Sequence, residues 1–396
     1  MGVSNKMKDK FSDKIEILLS KRVEEAIVKS HLEKRLGSGE KLRVKFGIDP
    51  TASDLHLGHS VSLLKLKEFQ DLGHQAIFLV GDFTAMIGDP TGRTNARKPL
   101  TKAEVKKNMA DYIQQAAKIL DIKKVEVRYN SEWFLKKGIG FLVQIASRFT
   151  HAQLIEREDF QRRIKEGIDI TLLELIYPLL QGYDSVELKA DVEIGGTDQK
   201  FNLLMGRKIQ QRFDQPEQDI ITVPLLEGTD GDKKMSKSYG NYIGLHEGSS
   251  NMFGKIMSIP DKIMGKYFEL LTNVSPKEIS GLDPRNQKSR LAWEIVNFYH
   301  GSKIADNAYE EFNRVFKEGK TPTDIKTIKI TPNSIGVKEL LVKCELTKSL
   351  SKAQRLIEQG AISLDGQVVK DWRQKILIEK PVILKAGKYH FIKLIP

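Results

Sequence analysis

The sequence predicts an α/β fold built on a parallel sheet, followed by a helical region and a small α+β unit. Between residues 41 and 245, short apolar segments alternate with helical stretches, which is the order of elements in parallel sheets. The segment QAIFLVGD (75–82) is almost continuously apolar, as expected for a strand that helices cover on both faces. After residue 245 the strand pattern stops, and residues 251–318 have helical spacing. We therefore predict a Rossmann-type sheet, which binds ligands at the carboxyl ends of its strands.

Composition restricts the class of protein. The chain has 396 residues, of which 40% are hydrophobic and 29% charged, so extended disorder and collagen-like structure are excluded. A single cysteine, Cys344, excludes an intramolecular disulfide framework and a cysteine-based zinc cluster. Charges interrupt the N-terminal segment where a signal peptide would be apolar, and no apolar run reaches the roughly 20 residues of a membrane helix. We expect a cytoplasmic protein without membrane contact.

The net charge is +12, and the excess lies at the two ends of the chain. Residues 1–45 carry +5 and residues 333–396 carry +6, whereas the middle of the chain is almost neutral. Basic terminal segments suit contact with a polyanion such as nucleic acid. Lysine-rich faces that only meet solvent would have the same charge, so charge alone leaves both interpretations open.

The elements of the first part of the chain follow in order. An N-terminal helical segment occupies residues 1–40, with an amphipathic helix predicted over 13–36. The sheet domain, residues 41–245, contains a helix over about Ser60–Leu72 and a helical insertion at about 130–180. Its predicted strands are 42–48, 75–82, 124–130, 185–196 and 219–226.

Three segments complete the chain. We predict a helical domain over residues 246–318 and a linker over 319–333, where Lys, Thr and Pro accumulate without a helical face. Residues 334–396 form a compact unit. It contains a helix with its N-cap at Ser351 and a hairpin around Asp365-Gly366.

The first functional motif follows the first predicted strand of the sheet domain. Asp49-Pro50-Thr51 leads into His56, Leu57, Gly58 and His59 at the start of a helix. A helix N-terminus supplies free N–H groups and partial positive charge for a phosphate, and the two histidines add donors. The glycine lets a nucleotide approach the backbone closely. Taken alone, two loop histidines and a turn glycine could also be ordinary turn residues.

A second motif strengthens the phosphate interpretation. Lys234-Met235-Ser236-Lys237-Ser238 follows a strand and a loop rich in Gly and Asp. Lysines on a mobile loop can close over a triphosphate, although by themselves they would equally suit a solvated loop. The two motifs together resemble the His-Ile-Gly-His and Lys-Met-Ser-Lys-Ser signatures of the class I aminoacyl-tRNA synthetases. The second signature is identical in this chain, and the first differs only at Leu57.

A third motif indicates the amino acid. Tyr177, Gln181 and Asp184 are spaced i, i+4 and i+7, so on a helix they share one face and can enter one pocket. An aromatic and two polar residues at the edge of a core helix would be the alternative. The segment resembles the Tyr-x-x-x-Gln-x-x-Asp helix of bacterial tyrosyl-tRNA synthetases. This resemblance implies that Asp184 accepts a hydrogen bond from the substrate phenol, while Tyr177 and Gln181 hold its amino group.

Further matches extend the resemblance over nearly the whole chain, although each Gly or Asp among them could also belong to a turn. The resemblance implies catalytic roles at the phosphates for His56, His59, Thr51, Lys234, Lys237 and Ser238. It implies ATP-binding roles for Asp49, Gly58, Gly196, Asp198, Met235, Arg93 and Arg97. It implies tyrosine-binding roles for Gly47, Thr84, Asp89, Tyr177, Gln181, Asp184 and Gln199.

The C-terminal unit resembles an S4-type RNA-binding domain. Lys352 and Arg355 lie three apart on its predicted helix, and one face with both suits backbone phosphates. A small α+β domain with an ordinary charged surface is the alternative. The resemblance is to the subgroup with an intact Lys-Met-Ser-Lys-Ser loop and an S4 domain. One position departs from the family pattern. This chain has Lys45 at a position where many members have a tyrosine, and that tyrosine also contacts the substrate phenol.

The resemblance implies a reaction and its partners. L-Tyrosine and ATP would give tyrosyl-AMP and pyrophosphate, and the tyrosyl group would pass to the 3′ adenosine of tRNA(Tyr). Mg²⁺ would accompany ATP, with no tightly bound cofactor and no dedicated protein ligand set for a metal. The helices of 246–318 would bind the anticodon, and a homodimer is implied, with its contact around residues 130–180.

Other functions remain open from the sequence. A small-molecule nucleotidyltransferase would explain residues 41–245 but would leave the RNA unit without a use. A non-catalytic RNA-binding protein descended from a synthetase would be expected to have damaged signatures, and these are intact. The sister enzyme for tryptophan normally lacks the C-terminal RNA unit. Tyrosine-dependent exchange of pyrophosphate into ATP would separate these hypotheses.

Overall fold

The computed structural model describes residues 12–91, 99–318, 320, 325–331, 334–387 and 390–396. The chain divides into two compact units, Met1–Ser302 and Lys303–Pro396. The finer domain boundaries suggested by the sequence stay predictions. Within the described ranges, no helix combines the length and apolar character needed to cross a membrane.

A six-stranded sheet forms the centre of the first unit. Its strands span Glu25–Ile27 (β1), Arg43–Ile48 (β2), Gln75–Val80 (β3), Glu126–Tyr129 (β4), Val192–Gly196 (β5) and Asp219–Val223 (β6). They lie in the order β1-β6-β5-β2-β3-β4, and neighbours are parallel except for β1 and β6. All of β3 after Gln75 is buried, as expected for a strand covered on both faces. The predicted parallel α/β fold is confirmed.

Helices connect and cover these strands. They span 12–20 (α1), Lys29–Gly37 (α2), Leu57–Asp71 (α3), Thr84–Ile87 (α4), Lys102–Met109 (α5), Tyr112–Ala116 (α6), Ser131–Ala146 (α7), His151–Leu154 (α8), Glu158–Lys165 (α9), Leu172–Leu188 (α10) and Lys200–Arg212 (α11). A capping box starts α10, where Thr171 Oγ1 accepts from the Glu174 N–H (3.3 Å) and the Glu174 carboxylate accepts from the Thr171 N–H (2.9 Å). This cap sets where the helix that carries the third motif begins.

The helical run predicted after residue 245 is confirmed. Its helices span Ser249–Met257 (α12), Asp261–Leu271 (α13), Pro276–Ile279 (α14), Pro284–His300 (α15) and Ser302–Phe316 (α16). Proline opens both α14 and α15, where its missing N–H has no intrahelical partner to lose. Buried Phe253, Tyr267 and Leu291 belong to the apolar faces of α12, α13 and α15.

The N-terminal segment differs from the single helix predicted over 13–36. The first helix ends at residue 20, Arg22 takes a left-handed φ of 57°, and β1 pairs with β6 before α2 begins. The buried Arg22 guanidinium donates to the carbonyl oxygens of Leu270 (2.6 Å) and Thr272 (3.0 Å) at the end of α13. Tertiary partners therefore interrupt an amphipathic pattern that would be continuous in an isolated helix.

The structure also differs from the prediction in one predicted strand and in the predicted linker. The strand predicted over 185–196 begins only at Val192, because residues 185–188 complete α10 and Lys189 ends that helix at a φ of 46°. The segment predicted as a linker, 319–333, includes the strand Lys326–Lys329 (β7). That strand pairs in parallel with the last strand of the chain, a partner that no local pattern indicates.

The second unit combines small sheets with short helices. Its further strands span Ser334–Gly336 (β8), Ile362–Leu364 (β9), Gln367–Val368 (β10), Lys375–Leu377 (β11), Val382–Ala386 (β12) and His390–Ile395 (β13). Besides most of α16, it contains the helices Val337–Lys343 (α17) and Leu350–Glu358 (α18). The main sheet has the order β10-β9-β12-β13-β7, and β8 pairs with β11. The hairpin at Asp365-Gly366 is confirmed, with φ of 45° and 83°. The predicted N-cap is wrong, because Ser349 and not Ser351 accepts the Lys352 N–H (3.3 Å).

Candidate active site

A cavity of about 350 Å³ lies at the carboxyl ends of β2, β3 and β5, where parallel sheets bind ligands. Residues of all three motifs line it. The predicted site residues in its wall are Gly47, Asp49, Thr51, His56, Gly58, His59, Thr84, Asp89, Tyr177, Gln181, Asp184, Gly196, Asp198, Gln199, Lys234, Met235, Lys237 and Ser238. Arg93 and Arg97 lie outside the described residues, and Lys352 and Arg355 lie on α18 of the second unit.

The two histidines form a stacked pair at the start of α3. Their ring centroids are 3.8 Å apart, and the His56 backbone N–H donates to His59 Nδ1 (3.2 Å). Desolvation lowers the pKa of both rings, that of His59 to about 4, and the nearby Lys237 and Lys234 act in the same direction. Both imidazoles are therefore neutral at pH 7. A Cβ on Gly58 would lie 3.0 Å from the His56 ring, so a side chain there would crowd the pair.

The lysines of the second motif are paired with carboxylates. Lys234 Nζ donates to Asp198 Oδ2 (2.6 Å), and Lys237 forms an ion pair with Asp54. Asn241 holds the loop by donating to the carbonyl oxygen of Lys234 (3.2 Å). Both ion pairs are partly exposed, so each contributes little to stability and can be exchanged for phosphate oxygens.

Asp184 forms the buried end of the cavity and is held by two donors. Trp133 Nε1 donates to its Oδ1 (3.0 Å), and Asn130 Nδ2 donates to its Oδ2 (3.3 Å). Burial raises the pKa of this carboxyl to about 8, against the opposing effects of Lys45 and the two hydrogen bonds. Each carboxylate oxygen can accept a second hydrogen bond. A carboxyl group fixed in this way can select a ligand that ends in a hydroxyl.

A second polar cluster joins the ends of β2 and β3 to α10. Thr84 Oγ1 donates to Asp49 Oδ1 (2.7 Å), and the Tyr177 hydroxyl donates to Asp49 Oδ2 (3.0 Å). Asn130 Nδ2 also donates to Thr84 Oγ1 (2.9 Å). A Cβ on Gly81 would lie 2.1 Å from Asp49 Oδ1, so only glycine fits here. The resemblance assigns Asp49 to ATP binding, but here Asp49 contacts Thr84 and Tyr177, which the resemblance assigns to tyrosine binding.

A third cluster contains the other residues predicted to bind tyrosine. Thr91 Oγ1 and Gln199 Nε2 donate to the two oxygens of Asp89 (2.6 and 2.8 Å). Asn202 Nδ2 donates to the side-chain oxygens of both Gln181 (3.0 Å) and Gln199 (2.9 Å). The structure therefore joins Asp89, Gln181 and Gln199, which are distant in sequence, into one network.

Lys45 marks the position where the chain departs from the family pattern. Its side chain is fully buried, and Nζ contacts Glu193 Oε1 and donates to Ser185 Oγ (both 2.8 Å). Nζ also lies 3.4 Å from the Gln181 carbonyl oxygen. Lys45 therefore contributes a compensated positive charge near Asp184 and is not a free donor for a phenol.

Sequence reasoning missed the residues that hold the site in place. Asn130 follows β4 at the carboxyl edge of the sheet, a position that could have indicated it. Trp133, Asn202 and Arg157 carry no local signal. They meet the site only through the packing of α7, α11 and the segment before α9.

The fold and this site are those of a class I aminoacyl-tRNA synthetase: a parallel sheet whose ligand edge carries a neutral histidine pair and a lysine loop. The family described as "tRNA synthetases class I (W and Y)" matches residues 38–317. Tyrosine–tRNA ligases of Bordetella avium and Carboxydothermus hydrogenoformans are 46% and 47% identical to this chain. The alignments cover 94% of this chain in both cases, and 93% and 94% of the relatives. The chain belongs to this class I family, in the group of the tyrosine–tRNA ligases.

Solved structures share the fold. A C-terminally truncated mitochondrial tyrosyl-tRNA synthetase of Aspergillus nidulans superposes with a TM-score of 0.64 at 22% identity, covering 80% of this chain and 100% of that one. The tyrosyl-tRNA synthetase of Archaeoglobus fulgidus, solved with L-tyrosine, has a TM-score of 0.60 at 23% identity, covering 76% and 99%. At these identities the likeness concerns the fold alone.

Proposed function

We propose that the chain activates L-tyrosine with ATP to tyrosyl-AMP and pyrophosphate, and then transfers tyrosine to the 3′ adenosine of tRNA(Tyr). One observation carries the proposal. A single cavity joins a buried hydroxyl acceptor, Asp184, to an end lined by His56, His59, Lys234 and Lys237. A tyrosine side chain suits the first end and a polyphosphate the second. Membership of the tyrosine–tRNA ligase group supports the same reaction.

In the first step, a carboxylate oxygen of tyrosine attacks the α-phosphorus of ATP. The bond from that phosphorus to the bridging oxygen of pyrophosphate breaks, and pyrophosphate leaves with the electron pair. Because the carboxylate is already the nucleophile, no general base is needed. The protein has to align two anions and stabilise the charge on the leaving group.

The phosphate end of the cavity suits these demands. His56 and His59 can donate N–H groups from neutral rings, and Thr51 and Ser238 add hydroxyls to the same wall. Lys234 and Lys237 supply positive charge when they leave Asp198 and Asp54 for the phosphates. Asp198, released in this way, can accept from the ribose hydroxyls.

In the second step, a ribose hydroxyl of the terminal adenosine attacks the tyrosyl carbonyl carbon. The bond from that carbon to the AMP oxygen breaks, AMP leaves with the electron pair, and the proton of the hydroxyl passes to the departing phosphate group. The mixed anhydride made in the first step supplies the driving force, so this step also requires alignment more than a new reactive group.

Mg²⁺ would arrive on ATP and take its ligands from phosphate oxygens and water. Over the described residues, no three His, Cys, Asp or Glu side chains cluster in a way that could hold a metal. The roles of Arg93 and Arg97 at the pyrophosphate and the cytoplasmic location stay predictions.

The second unit would bind tRNA through α18. Lys352 and Arg355 are exposed on this helix, while Ala353 and Ile357 are buried on its other face. This arrangement leaves both cations free to meet backbone phosphates.

A homodimer is also part of the proposal. Leu135, Ile139 and Val143 of α7 are 61%, 82% and 64% exposed, and Leu172 at the start of α10 is 77% exposed. Gly138, with a φ of 65°, interrupts α7 between Leu135 and Ile139, so these side chains form no single helical stripe. They are exposed apolar groups on nearby segments that a second copy could cover. The mass of the protein in solution measures this directly.

Exchange of labelled pyrophosphate into ATP tests the first step. We expect exchange with L-tyrosine and none with L-phenylalanine, and charging of tRNA(Tyr) tests the second step. The variant His59→Ala should lose exchange, whereas His246→Ala, at an exposed histidine outside the cavity wall, should keep it. Exchange that depends on tryptophan, or that needs no amino acid, would contradict the proposal.

A further inference from the structure

Behind the cavity wall, Arg157 and Asn202 connect the segment before α9 and helix α11 to residues that face the ligand. Arg157 is 4% exposed, and its guanidinium donates to Asn202 Oδ1 and to Thr91 Oγ1 (both 3.2 Å). Asp159 accepts two further hydrogen bonds from it (3.0 and 2.8 Å). The guanidinium carbon also lies 4.7 Å from the centre of the Phe160 ring. Arg157 is therefore held from several directions.

The chemistry of these groups determines the direction of each hydrogen bond. A guanidinium has only donors, so the Asn202 atom facing Arg157 is the carbonyl oxygen. The Asn202 nitrogen must then face the other way, where it donates to the side-chain oxygens of Gln181 (3.0 Å) and Gln199 (2.9 Å). At the far end, the Asp89 carboxylate can only accept, and the Gln199 nitrogen donates to it at 2.8 Å. The orientation of Gln199 is thus determined from both ends.

We propose that Arg157 and Asn202 are positioning residues that determine which end of the Gln181 and Gln199 amides meets the amino acid. The Gln181 oxygen keeps a second lone pair for the substrate ammonium, and the Gln199 nitrogen keeps a second N–H for the carboxylate. The inference rests on the proposed function, since it concerns the amino acid bound for activation.

Loss of this orientation has a specific consequence. A reversed Gln181 amide would present a donor to the ammonium, and a reversed Gln199 amide would present an acceptor to the carboxylate. The ammonium and the carboxylate are both bonded to the α-carbon of the amino acid. Binding of L-tyrosine and its discrimination from D-tyrosine should therefore weaken together. ATP binds at the other end of the cavity and should be little affected.

The variant Asn202→Asp separates positioning from folding. The new carboxylate keeps the shape of the side chain and improves the contact with Arg157, so the unfolding temperature should not fall. It cannot donate to Gln181 and Gln199, whose oxygens it would repel. In pyrophosphate exchange we expect KM for L-tyrosine to rise roughly tenfold or more, and the kcat/KM preference for L- over D-tyrosine to fall by a similar factor. The KM for ATP should change less than about twofold.

Substitutions of the arginine complete the test. Arg157→Lys keeps a group with donors only and should retain the tyrosine KM within a few-fold, whereas Arg157→Gln can present either amide end and should resemble Asn202→Asp. Arg163→Gln is the matched control. Arg163 lies on α9 and is buried like Arg157, but it pairs with Glu174 (2.6 Å). Its loss should lower the unfolding temperature without changing the L/D preference.

The outcomes separate this inference from the proposed function. Tyrosine-dependent exchange by the unchanged chain tests the reaction itself, and its absence would overturn both. Where that exchange is present, an Asn202→Asp variant with an unchanged tyrosine KM and L/D preference would overturn the positioning role alone. Equal increases in KM for tyrosine and ATP would overturn it too, because they would indicate a general loss of structure.

Discussion

The two ends of the cavity are built in different ways. At the end proposed to bind tyrosine, called the tyrosine end, Asp184 is fully buried and receives hydrogen bonds from Trp133 and Asn130, which are themselves buried. At the end proposed to bind the phosphates, called the phosphate end, Lys234 and Lys237 pair with partly exposed carboxylates. Recognition of a hydroxyl needs an acceptor that does not move. Stabilisation of a departing pyrophosphate needs charges that can change partners, so the difference in burial matches the difference in task.

The largest expected effect tests the rigidity of the tyrosine end. Lys45→Met leaves buried Glu193 without its cation and should lower the free energy of unfolding by about 3–5 kcal/mol, measured by urea denaturation. The matched change at the other end, Lys234→Met, should cost no more than about 1 kcal/mol.

A double variant sharpens this test. Lys45→Met combined with Glu193→Gln removes both charges, so it should recover most of the stability lost in the single variant. Equal losses in the single and double variants would argue against the buried ion pair as the cause.

The next effect concerns the phosphate end. Lys237→Ala should lower the rate of tyrosyl-AMP formation by about 10²–10³-fold, the usual cost of removing one group that stabilises transition-state charge. The dissociation constant of tyrosine should hardly change, because the proposed role of Lys237 is at the phosphates and not at the amino acid. Single-turnover kinetics and tyrosine titration measure the two quantities. Lys233→Ala, one residue outside the signature, is the control, and equal effects of Lys237→Ala on rate and affinity would refute the assigned role.

A smaller effect is expected when the charge of the hydroxyl acceptor is removed. Asp184→Asn keeps the shape of the side chain but, above pH 8 where the native carboxyl is ionised, loses a charged hydrogen bond worth about 1.5–3 kcal/mol. The kcat/KM for tyrosine should fall by the corresponding factor of about 10–150, whereas that for phenylalanine should not fall. An unchanged ratio between the two substrates in pyrophosphate exchange would rule out Asp184 as the phenol acceptor.

A further effect is a response of stability to pH that has opposite signs at the two ends. The pKa of His59 is lowered to about 4, so between about pH 6.5 and 4 the unfolded chain binds more protons than the folded one at this site. Its contribution to stability is complete above pH 6.5 and is lost as the pH falls toward 4. The pKa of Asp184 is raised to about 8, so its contribution is complete below about pH 4 and is lost as the pH rises through 8.

Titration of the His59 ring by NMR measures the first of these shifts. No change in its resonances is expected near pH 6.5. The contributions of His59 and Asp184 oppose each other between about pH 4 and 6.5. A His59 ring that titrates near pH 6.5 would contradict the lowered pKa.

The cavity residues that were predicted from the sequence share one property: they belong to contiguous motifs. His56, Gly58 and His59 follow a strand, and Tyr177, Gln181 and Asp184 repeat along one helix, so short motifs that resemble family signatures were enough to indicate them. Their supports could not be found in this way. Trp133, Asn202 and Arg157 lie on elements whose meeting depends on how several helices pack.

Lys45 illustrates the same limit. From the sequence, it was only a lysine where the family has a tyrosine. The structure shows it buried against Glu193 and Ser185, a pairing that depends on β2 and β5 being neighbours in the sheet. The predicted helix over 13–36 failed for a related reason, since its middle forms a strand that pairs with β6.

The sequence by itself determined the fold class, the order of the parallel strands and the residues of the motifs, because periodicity and turn residues act over a few positions. Only the tertiary structure decided which way each side chain is held: the neutral histidine pair, the exchangeable lysine pairs, and the amides oriented by Arg157 and Asn202. Those properties depend on burial and on partners from distant segments, and both arise only when the chain is folded.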